Sequence, residues 1–418
     1  MTPEIEKRIK AVQAGRVPAG YKKSKVGIVP KEWGEVRFHD MFSRVVRKNK
    51  EGNTNVLTIS AQYGLINQNE FFNKTVASDD KSNYYLMKKG EFAYNKSYSN
   101  GYPFGALKRL DFYDKGIVSP LYICFAASEN NQCPDFYVHY FEAGLMNKEI
   151  QAFAQEGARN HGWLNISVDD FFNSNLLNPP LSEQKKIAEI LATQDRVIEL
   201  KKKMIAEKQS QKKYLMSVFF DERKKMTKKT QWTAIRIEDI FEESSEKNHP
   251  DADVLTIIQG VGTVSREQSG REIIYDKNAL STYKFVKEGD FIIHLRSFEG
   301  GLEAANSDGI VSPAYVILRP KIDVSTKYLY ALFHTNRFIN QTMAPSVEGA
   351  RDGRSVKYEV LKKQKINLPS LPEQKAVANV LSAADEEIFL LQKDLEQEKL
   401  KKKSLMQLLL TGLVRVNE

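Results

Sequence analysis

"LSEQKKIAEIL" at residues 181–191 and "LPEQKAVANVL" at residues 371–381 are two versions of one segment. The match continues without a gap from Glu183 and Glu373 to Met216 and Met406, at a constant separation of 190 positions. An ungapped match of this length indicates an internal duplication. Proline lies just before each copy, and helix-forming residues follow, so each copy is predicted to begin a helix.

Further matching segments precede the two helices, at separations that grow slightly toward the N-terminus. The pairs are WGEVR at 33–37 with WTAIR at 232–236, VLTI at 56–59 with VLTI at 254–257, GIVSP at 116–120 with GIVSP at 309–313, and EGAR at 156–159 with EGAR at 348–351. Such drift is expected when loops gain or lose residues between two copies of a domain. The whole chain is therefore interpreted as two tandem units, each a globular part followed by a long helix.

Composition and patterning predict an α+β fold. The 418 residues are 41% apolar and 10% aromatic, which is enough to build substantial cores. Short β-branched and aromatic runs such as NVLTISA, GEFAYNKSY and GDFIIHLRSF alternate with turn residues, and local helical stretches interrupt them. The predicted divisions are an N-terminal helix and linker (1–30), a first domain (31–180), a first long helix (181–222), a linker (223–230), a second domain (231–370) and a second long helix (371–418).

The two long helices carry an apolar seam with polar interruptions. In the second helix Val377, Leu381, Ala384 and Ile388 follow alternating steps of three and four residues, a heptad pattern. The first helix has the same seam, but lysines such as Lys208 weaken it in the middle. Helices of nearly forty residues rarely stand alone, so we expect the two to pack on each other as an antiparallel coiled coil.

Charge and the absence of targeting signals limit the possible functions. The formal net charge of +9 favours a polyanionic partner, although lysine-rich solvated helix faces also explain much of it. No apolar run is long enough for a membrane span, and the sequence "MTPEIEKRIK" lacks the apolar core of a signal peptide. These features predict a cytoplasmic protein. Cys124, in an apolar run, is interpreted as a core residue.

Two short motifs are candidates for a catalytic or cofactor site. "NPPL" at 178–181 is similar to the Asn-Pro-Pro-aromatic motif of adenine methyltransferases, but Leu181 replaces the aromatic residue and the second copy has no Asn. A proline-ended linker before a helix explains it as well. Gly260-Val261-Gly262 lacks the remaining features of a nucleotide loop and is interpreted as a turn. We therefore expect no active site and no metal site in this chain.

Two hairpin-like segments each combine a cation, a serine and an aromatic residue. They are Lys96-Ser97-Tyr98 in the first half and Arg296-Ser297-Phe298 in the second. Such a group suits contact with DNA phosphates or base edges, and neighbouring glycines permit close approach of a backbone. The alternative is an edge loop with a solvated cation.

The repeated EGAR motif supplies a second set of candidate DNA-binding residues. In the first half Arg159 is followed by Asn160 and His161, and in the second Arg351 is followed closely by Arg354. Arginine can read guanine bidentately and asparagine suits adenine. A helix-ending turn with a surface arginine is the alternative. The lysine clusters at 201–203 and 401–403 are interpreted as solvated helix faces.

Taken together, the two Leu-Ser/Pro-Glu-Gln-Lys helix starts, the long helices that close on Leu-Met and the paired domains resemble the specificity subunit of Type I restriction-modification systems. The resemblance covers nearly the whole chain. It implies two target-recognition domains, each reading half of a split asymmetric DNA sequence, and helices that fix the unread spacer. It also implies double-stranded DNA, two methyltransferase subunits and, through them, motor-nuclease subunits as partners.

The same resemblance implies that S-adenosylmethionine, ATP and Mg belong to the partner subunits, with no cofactor on this chain. Two other functions stay open on the sequence alone. One is the recognition part of a single-chain restriction-methylation enzyme, against which the lack of a cofactor loop argues. The other is a coiled-coil tether whose domains bind protein, in which case the paired Arg and Lys loops are accidental.

Overall fold

A computed structural model of the chain describes residues 2–60, 62–72, 80–98, 101–128, 132–156, 164–220, 232–267, 269–270, 277–349 and 354–416. The chain forms two compact units. The first unit comprises residues 1–201 and 394–418, and the second comprises residues 202–393. The second unit is thus inserted, in sequence, into the first.

The first unit contains short helices, many short strands and part of two long helices. Its helices are α1 (Pro3–Gln13), α2 (Phe38–Met41), α3 (Gln68–Phe72), α4 (Pro134–Glu142), α5 (Asn147–Phe153), α6 (Val168–Phe172) and the start of α7 (Leu181–Phe220). Its strands are β1 (Tyr21–Lys23), β2 (Ile28–Pro30), β3 (Gly34–Arg37), β4 (Phe42–Arg44), β5 (Leu57–Ser60), β6 (Gly64–Asn67), β7 (Tyr85–Lys88), β8 (Phe92–Asn95), β9 (Ala106–Arg109), β10 (Lys115–Val118), β11 (Ile123–Ala127), β12 (Gln155–Glu156), β13 (Leu164–Asn165) and β14 (Asn175–Asn178).

A four-stranded antiparallel sheet, in the order β4-β11-β8-β9, forms the centre of the first unit. The strands β5 and β6 form a hairpin, β7 pairs with β10, and β3 pairs with β14. Buried aromatic rings cover one face of the central sheet, and Phe92 stacks on Phe125 with ring centroids 5.3 Å apart. Burial of one such ring stabilises the fold by about 1.5–3 kcal/mol.

The second unit repeats this arrangement. Its helices are the end of α7, α8 (Ile237–Ile240), α9 (Ser297–Gly300), α10 (Thr326–Phe333), α11 (Tyr358–Leu361) and the start of α12 (Leu371–Leu409), with 3-10 helices at Lys277–Thr282 and Ala344–Ser346 and a π-helix at Phe338–Met343. Its strands are β15 (Thr233–Arg236), β16 (Phe241–Ser244), β17 (Leu255–Ile258), β18 (Gly262–Ser265), β19 (Lys284–Val286), β20 (Phe291–Ile293), β21 (Glu303–Ala304), β22 (Gly309–Val311), β23 (Val316–Pro320), β24 (Val347–Glu348), β25 (Ser355–Val356) and β26 (Lys365–Leu368).

The corresponding strands pair in the same way in both units. The second unit has a sheet in the order β16-β23-β20-β21, a β17-β18 hairpin, and pairs β19-β22 and β15-β26. The glycine of the repeated GIVSP segment is kept for a steric reason. A Cβ atom at Gly116 would lie 2.3 Å from Leu57 Cδ1, and one at Gly309 would lie 2.6 Å from Leu255 Cδ1. Only glycine permits this close packing. The fold is α+β with two pseudo-repeated domains, as predicted.

The glutamine of each repeated helix start holds the helix to its own domain. Gln184 Oε1 accepts a hydrogen bond from Cys133 N at 2.9 Å, and Gln184 Nε2 donates to Pro179 O at 2.8 Å. In the second unit, Gln374 Oε1 accepts from Ser325 N at 3.0 Å and Nε2 donates to Pro369 O at 3.0 Å. These buried amides satisfy backbone groups that would otherwise lack partners, which explains why this part of the motif is duplicated.

The long helices run antiparallel within each unit, and the polar interruptions of their seam form ion pairs. In the first unit, Lys402 Nζ lies 2.6 Å from Asp195 Oδ1, and Lys201 pairs with Asp394. Because the later residue of α7 contacts the earlier residue of α12, the two segments point in opposite directions. Lys201, predicted as part of a solvated face, is therefore engaged between helices.

The second unit shows the same antiparallel order. Lys208 Nζ lies 2.7 Å from Glu387 Oε1, and Lys212 pairs with Asp385. Ile205 and Ile388 are buried in this segment. Among the described residues, no helix is both long and apolar enough to cross a membrane.

Residues 1–30, whose packing the sequence left undetermined, lie against the C-terminal tail in the first unit. The Tyr21 hydroxyl donates to Gly412 O at 2.6 Å, and Arg8 NH1 donates to Leu413 O at 3.3 Å. Gly412 has φ +70°, and a Cβ atom there would lie 2.5 Å from Pro30 Cδ. The tail after α12 is thus held closely by the start of the chain.

Candidate nucleic-acid interface

The predicted segment Lys96-Ser97-Tyr98 follows strand β8 directly. Lys96 is half-buried, its Nζ donates to Ile166 O at 3.3 Å, and burial lowers the pKa of its ammonium group. Ser97 N donates to Asn95 Oδ1 at 3.2 Å, which fixes the turn. Tyr98 is 61% exposed and is the member of this group most accessible to a partner.

Strand β13 connects this segment to the first EGAR motif. Leu164 N donates to Lys96 O at 3.0 Å, and β13 pairs with β12, so the two strands flank residues 157–163. Arg159, Asn160 and His161 lie outside the described residues. The two predicted segments of the first unit are therefore joined through their neighbouring backbone.

In the second unit, the predicted segment begins at the short helix α9. Arg296 is exposed at the N-cap position of this helix. Ser297, by contrast, is fully buried, and its Oγ accepts a hydrogen bond from His294 N at 2.9 Å. This hydroxyl stabilises the turn and faces away from solvent, which leaves Arg296 and Phe298 as the residues of the segment that a partner can reach.

Arg354 lies over the ring of Phe298, with its guanidinium carbon 4.4 Å from the ring centroid. The contact joins α9 to the backbone beside the second EGAR motif, although Arg351 itself falls outside the described ranges. A cation over an aromatic face is attracted by the ring quadrupole, so the two side chains orient each other. The predicted segments around residues 296 and 354 therefore meet at one place.

A buried carboxylate supports the neighbouring β17-β18 hairpin. Glu303 is fully buried and accepts hydrogen bonds from Gly260 N at 2.7 Å, His334 Nε2 at 3.0 Å and the Tyr330 hydroxyl at 3.3 Å. Gly260 and Gly262 have φ values of +77° and +96°, so this segment is the turn that the sequence predicted. The carboxylate fixes the tip of the hairpin.

His294 lies close to this network. Burial lowers the pKa of its imidazole, and its Nε2 is buried without a hydrogen-bond partner. Glu303, His334 and Tyr330 were not predicted as site residues, because no spacing in the sequence connects a side chain of β21 with side chains of α10 and its C-cap.

The "NPPL" segment has a structural role. Asn178 belongs to strand β14, where it pairs with Gly34, and its Oδ1 accepts a hydrogen bond from Gln184 Nε2 at 2.8 Å. The side-chain oxygen of Asn178 is thus already hydrogen-bonded at the start of α7. In the part of the chain that the structure describes, no group of three or more His, Cys, Asp or Glu residues could hold a metal ion.

Comparisons with known proteins agree with this architecture. The family model described as Type I restriction modification DNA specificity domain matches residues 30–208 and 229–401. The type I restriction enzyme MjaVIII specificity subunit of Methanocaldococcus jannaschii is 28% identical over 331 residues, which cover 72% of this chain and 75% of that protein.

Two solved structures have the same fold. The HsdS subunit from Thermoanaerobacter tengcongensis superposes with a TM-score of 0.50 and 14% identity, over 92% of this chain and 98% of that one. A chain from a study of complex assembly and conformational transition of the type I R-M system gives a TM-score of 0.58 and 16% identity, over 92% and 99%. Because the family model matches most of the chain in two separate stretches, the chain belongs to the Type I restriction modification DNA specificity domain family, and its function is to confer DNA-sequence specificity.

Proposed function

We propose that each unit reads one part of a two-part DNA site through the loops described above. In the first unit the reading residues are Lys96, Ser97, Tyr98, Arg159, Asn160 and His161, and in the second they are Arg296, Arg351 and Arg354. Ser297 supports the turn and is left out of the proposed interface, since its hydroxyl is buried.

The contact between Arg354 and Phe298 carries this proposal. It brings together two segments that were each selected from the sequence for independent reasons. A guanidinium stacked on a ring directs its in-plane N–H groups outward, and guanine recognition through O6 and N7 uses such a planar pair of donors. The hydrogen bond from Leu164 N to Lys96 O gives the first unit a comparable junction.

The long helices are proposed to bind two methyltransferase subunits and to set the length of the unread spacer. Leu200 of α7 is 60% exposed, and Leu390 of α12, its counterpart in the repeat, is 55% exposed. Ile190 and Val380 form a second pair of exposed apolar residues at matching positions. Exposed apolar side chains at repeated positions fit two copies of one partner protein.

The remaining activities of the complex are assigned to other subunits. Motor-nuclease subunits join through the methyltransferase subunits, which carry S-adenosylmethionine, and ATP and Mg are also bound by the partners. This chain supplies recognition without catalysis and works in the cytoplasm. The role of Asn178 in "NPPL" is structural, in keeping with the hydrogen bond that its Oδ1 accepts from Gln184 Nε2.

The test is an exchange of residues 31–178 for the same region of a relative, followed by sequencing of methylated sites in cells that express the complex. One half of the methylated motif should change while the other half and the spacer stay the same. A motif altered in both halves would contradict separate reading by the two units. Loss of all methylation is resolved by the reciprocal exchange of the second domain.

A further inference from the structure

The second unit contains a groove with charged side chains on its walls that no part of the proposed interface uses. Its volume is about 1930 Å³, and α7, α10, α12, the π-helix and the tip of the β17-β18 hairpin line it. Four cations and two carboxylates lie on its walls: Lys212, Lys213, Lys327, Arg337, Glu288 and Asp385. Lys212 and Asp385 pair with each other, and Glu288 is the second carboxylate on these walls.

Lys327 occupies a position where helix electrostatics favour an acid. It is the second residue of α10, and the partial positive charge of a helix N-terminus repels a cation there. The equivalent residue of the first unit is Asp135, the second residue of α4, which pairs with Arg109 at 2.7 Å. The two helix starts are otherwise alike, since Gln184 and Gln374 accept matching hydrogen bonds from their N-cap residues. An exposed lysine that opposes its own helix indicates a requirement for positive charge in this groove.

The π-helix adds amide groups to the same wall. Phe338 and Met343 are buried and anchor the segment, while Asn340 and Gln341 are exposed in the groove. Asn336 lies on the same wall, between α10 and the π-helix. The three cations and these amides all carry hydrogen-bond donors of the kind that contacts phosphate oxygens.

The groove lies beside the loops that are proposed to read bases. Gly260 and Val261, at the tip of the β17-β18 hairpin, line it. The preceding residue is Gln259. Its side-chain amide lies so close to Gly300 of α9 that a Cβ atom at Gly300 would overlap it. Phe298, which carries Arg354 over its ring, belongs to the same short helix. A ligand bound at those loops can therefore extend into the groove.

We propose that this groove binds the sugar–phosphate backbone of DNA beside the half-site that the second unit reads. Lys213, Lys327 and Arg337 contact phosphates, and the amides donate further hydrogen bonds. The inference rests on the proposed reading of DNA by the second unit and adds a sequence-independent contact in this unit. An acidic protein surface is the competing occupant.

The experiment uses the full chain assembled with its methyltransferase subunits and a duplex that contains the methylated motif, alongside a duplex without it. Affinity is measured over a series of salt concentrations for Lys213→Gln, Lys327→Gln, Arg337→Gln and the triple variant. The matched control is Lys403→Gln, because Lys403 is the repeat counterpart of Lys213 and is exposed in the first unit, where Asp135 replaces the second cation.

Each single groove variant should bind both duplexes roughly eightfold more weakly at about 0.1 M salt, and the slope of log affinity against log salt should fall by about 0.9 per phosphate lost. The Lys403→Gln control should keep both values. Lys327→Asp, which copies the first unit, should weaken binding further than Lys327→Gln. Equal loss on the two duplexes separates phosphate contact from base reading.

Two outcomes would overturn the proposal. In the first, the triple variant keeps the affinity and salt slope of the natural protein. In the second, it loses assembly with the methyltransferase subunits while the complex that still forms binds DNA normally, which would make the groove a protein-binding site. Failure of the proposed function is a different result, since the natural complex would then show no preference for the duplex that contains its motif.

Discussion

The buried carboxylate of Glu183 predicts that a single arginine far along the chain controls the stability of the first unit. Glu183 is fully buried and accepts hydrogen bonds from Arg415 Nε at 2.7 Å, Arg415 NH2 at 3.0 Å and Trp33 Nε1 at 2.9 Å. Arg415→Ala removes two charge-assisted bonds and leaves a buried charge with one neutral donor. Breaking a buried pair in this way costs about 3–5 kcal/mol. We expect about 3 kcal/mol, because the guanidinium also reaches solvent beside Glu32.

The assay is urea unfolding followed by the fluorescence of Trp33, which contacts the altered carboxylate. Trp163→Phe and Trp232→Phe leave Trp33 as the reporter, since the chain has three tryptophans. Glu32→Ala is the matched control, because it removes the exposed partner of Arg415, 3.0 Å away, and should change stability little. Glu183→Gln combined with Arg415→Ala should cost less than the sum of the single changes. A loss for Arg415→Ala no greater than that for Glu32→Ala would refute the reasoning.

Three further predictions concern reading, spacing and pH. Arg354→Ala should weaken recognition of one half-site by about 1–3 kcal/mol, and Arg354→Lys should not restore it, since lysine lacks the planar pair of donors. Methylation of duplexes with single base changes measures the effect of both variants. Equal loss on every duplex would indicate a phosphate contact. Four helix-forming residues inserted after Lys208 add about 6 Å and a net turn of about 40° to α7. We therefore expect methylated sites with unchanged halves and a spacer longer by about one base pair. An unchanged spacer in an active complex would show that the helix does not set the spacer length. Burial lowers the pKa of His139 from its ordinary 6.5, so the unfolded chain takes up a proton first as the pH falls. The unfolding free energy of the first unit should therefore fall as the pH drops below about 6.5, by at most about 1.4 kcal/mol per pH unit. His139→Gln should flatten this dependence, and an equal slope in both proteins would exclude His139 as its source.

The duplicated motifs predicted the fold because each motif has the same local structural role in both copies. Prolines before Leu181 and Leu371 end one element and begin the next, and their effect on the backbone depends on sequence neighbours alone. The polar interruptions of the helix seam could also be seen in the sequence, but their ion-pair partners could not. Lys208 looked like a weakness in the seam because its partner, Glu387, lies far along the chain.

The candidate site was only partly accessible from the sequence. The cation and aromatic residues around Arg296 stand out locally, but the burial of Ser297 depends on how the turn folds back on His294 N. The groove was missed altogether, since Lys213 and Lys327 come from elements more than a hundred positions apart. A comparison of the two copies does hold one signal, namely the lysine at 327 where the first copy has an acid at Asp135.

The bond between Glu183 and Arg415 also has a consequence for synthesis on the ribosome. The two residues are 232 positions apart, and the whole second unit is encoded between them. At about 5–20 residues per second, roughly 12–46 s pass between the emergence of Glu183 and that of its partner. During this interval all residues of the second unit become available, while the first lacks the tail that covers its acidic side chain. The half of the protein that is translated first is therefore expected to mature last.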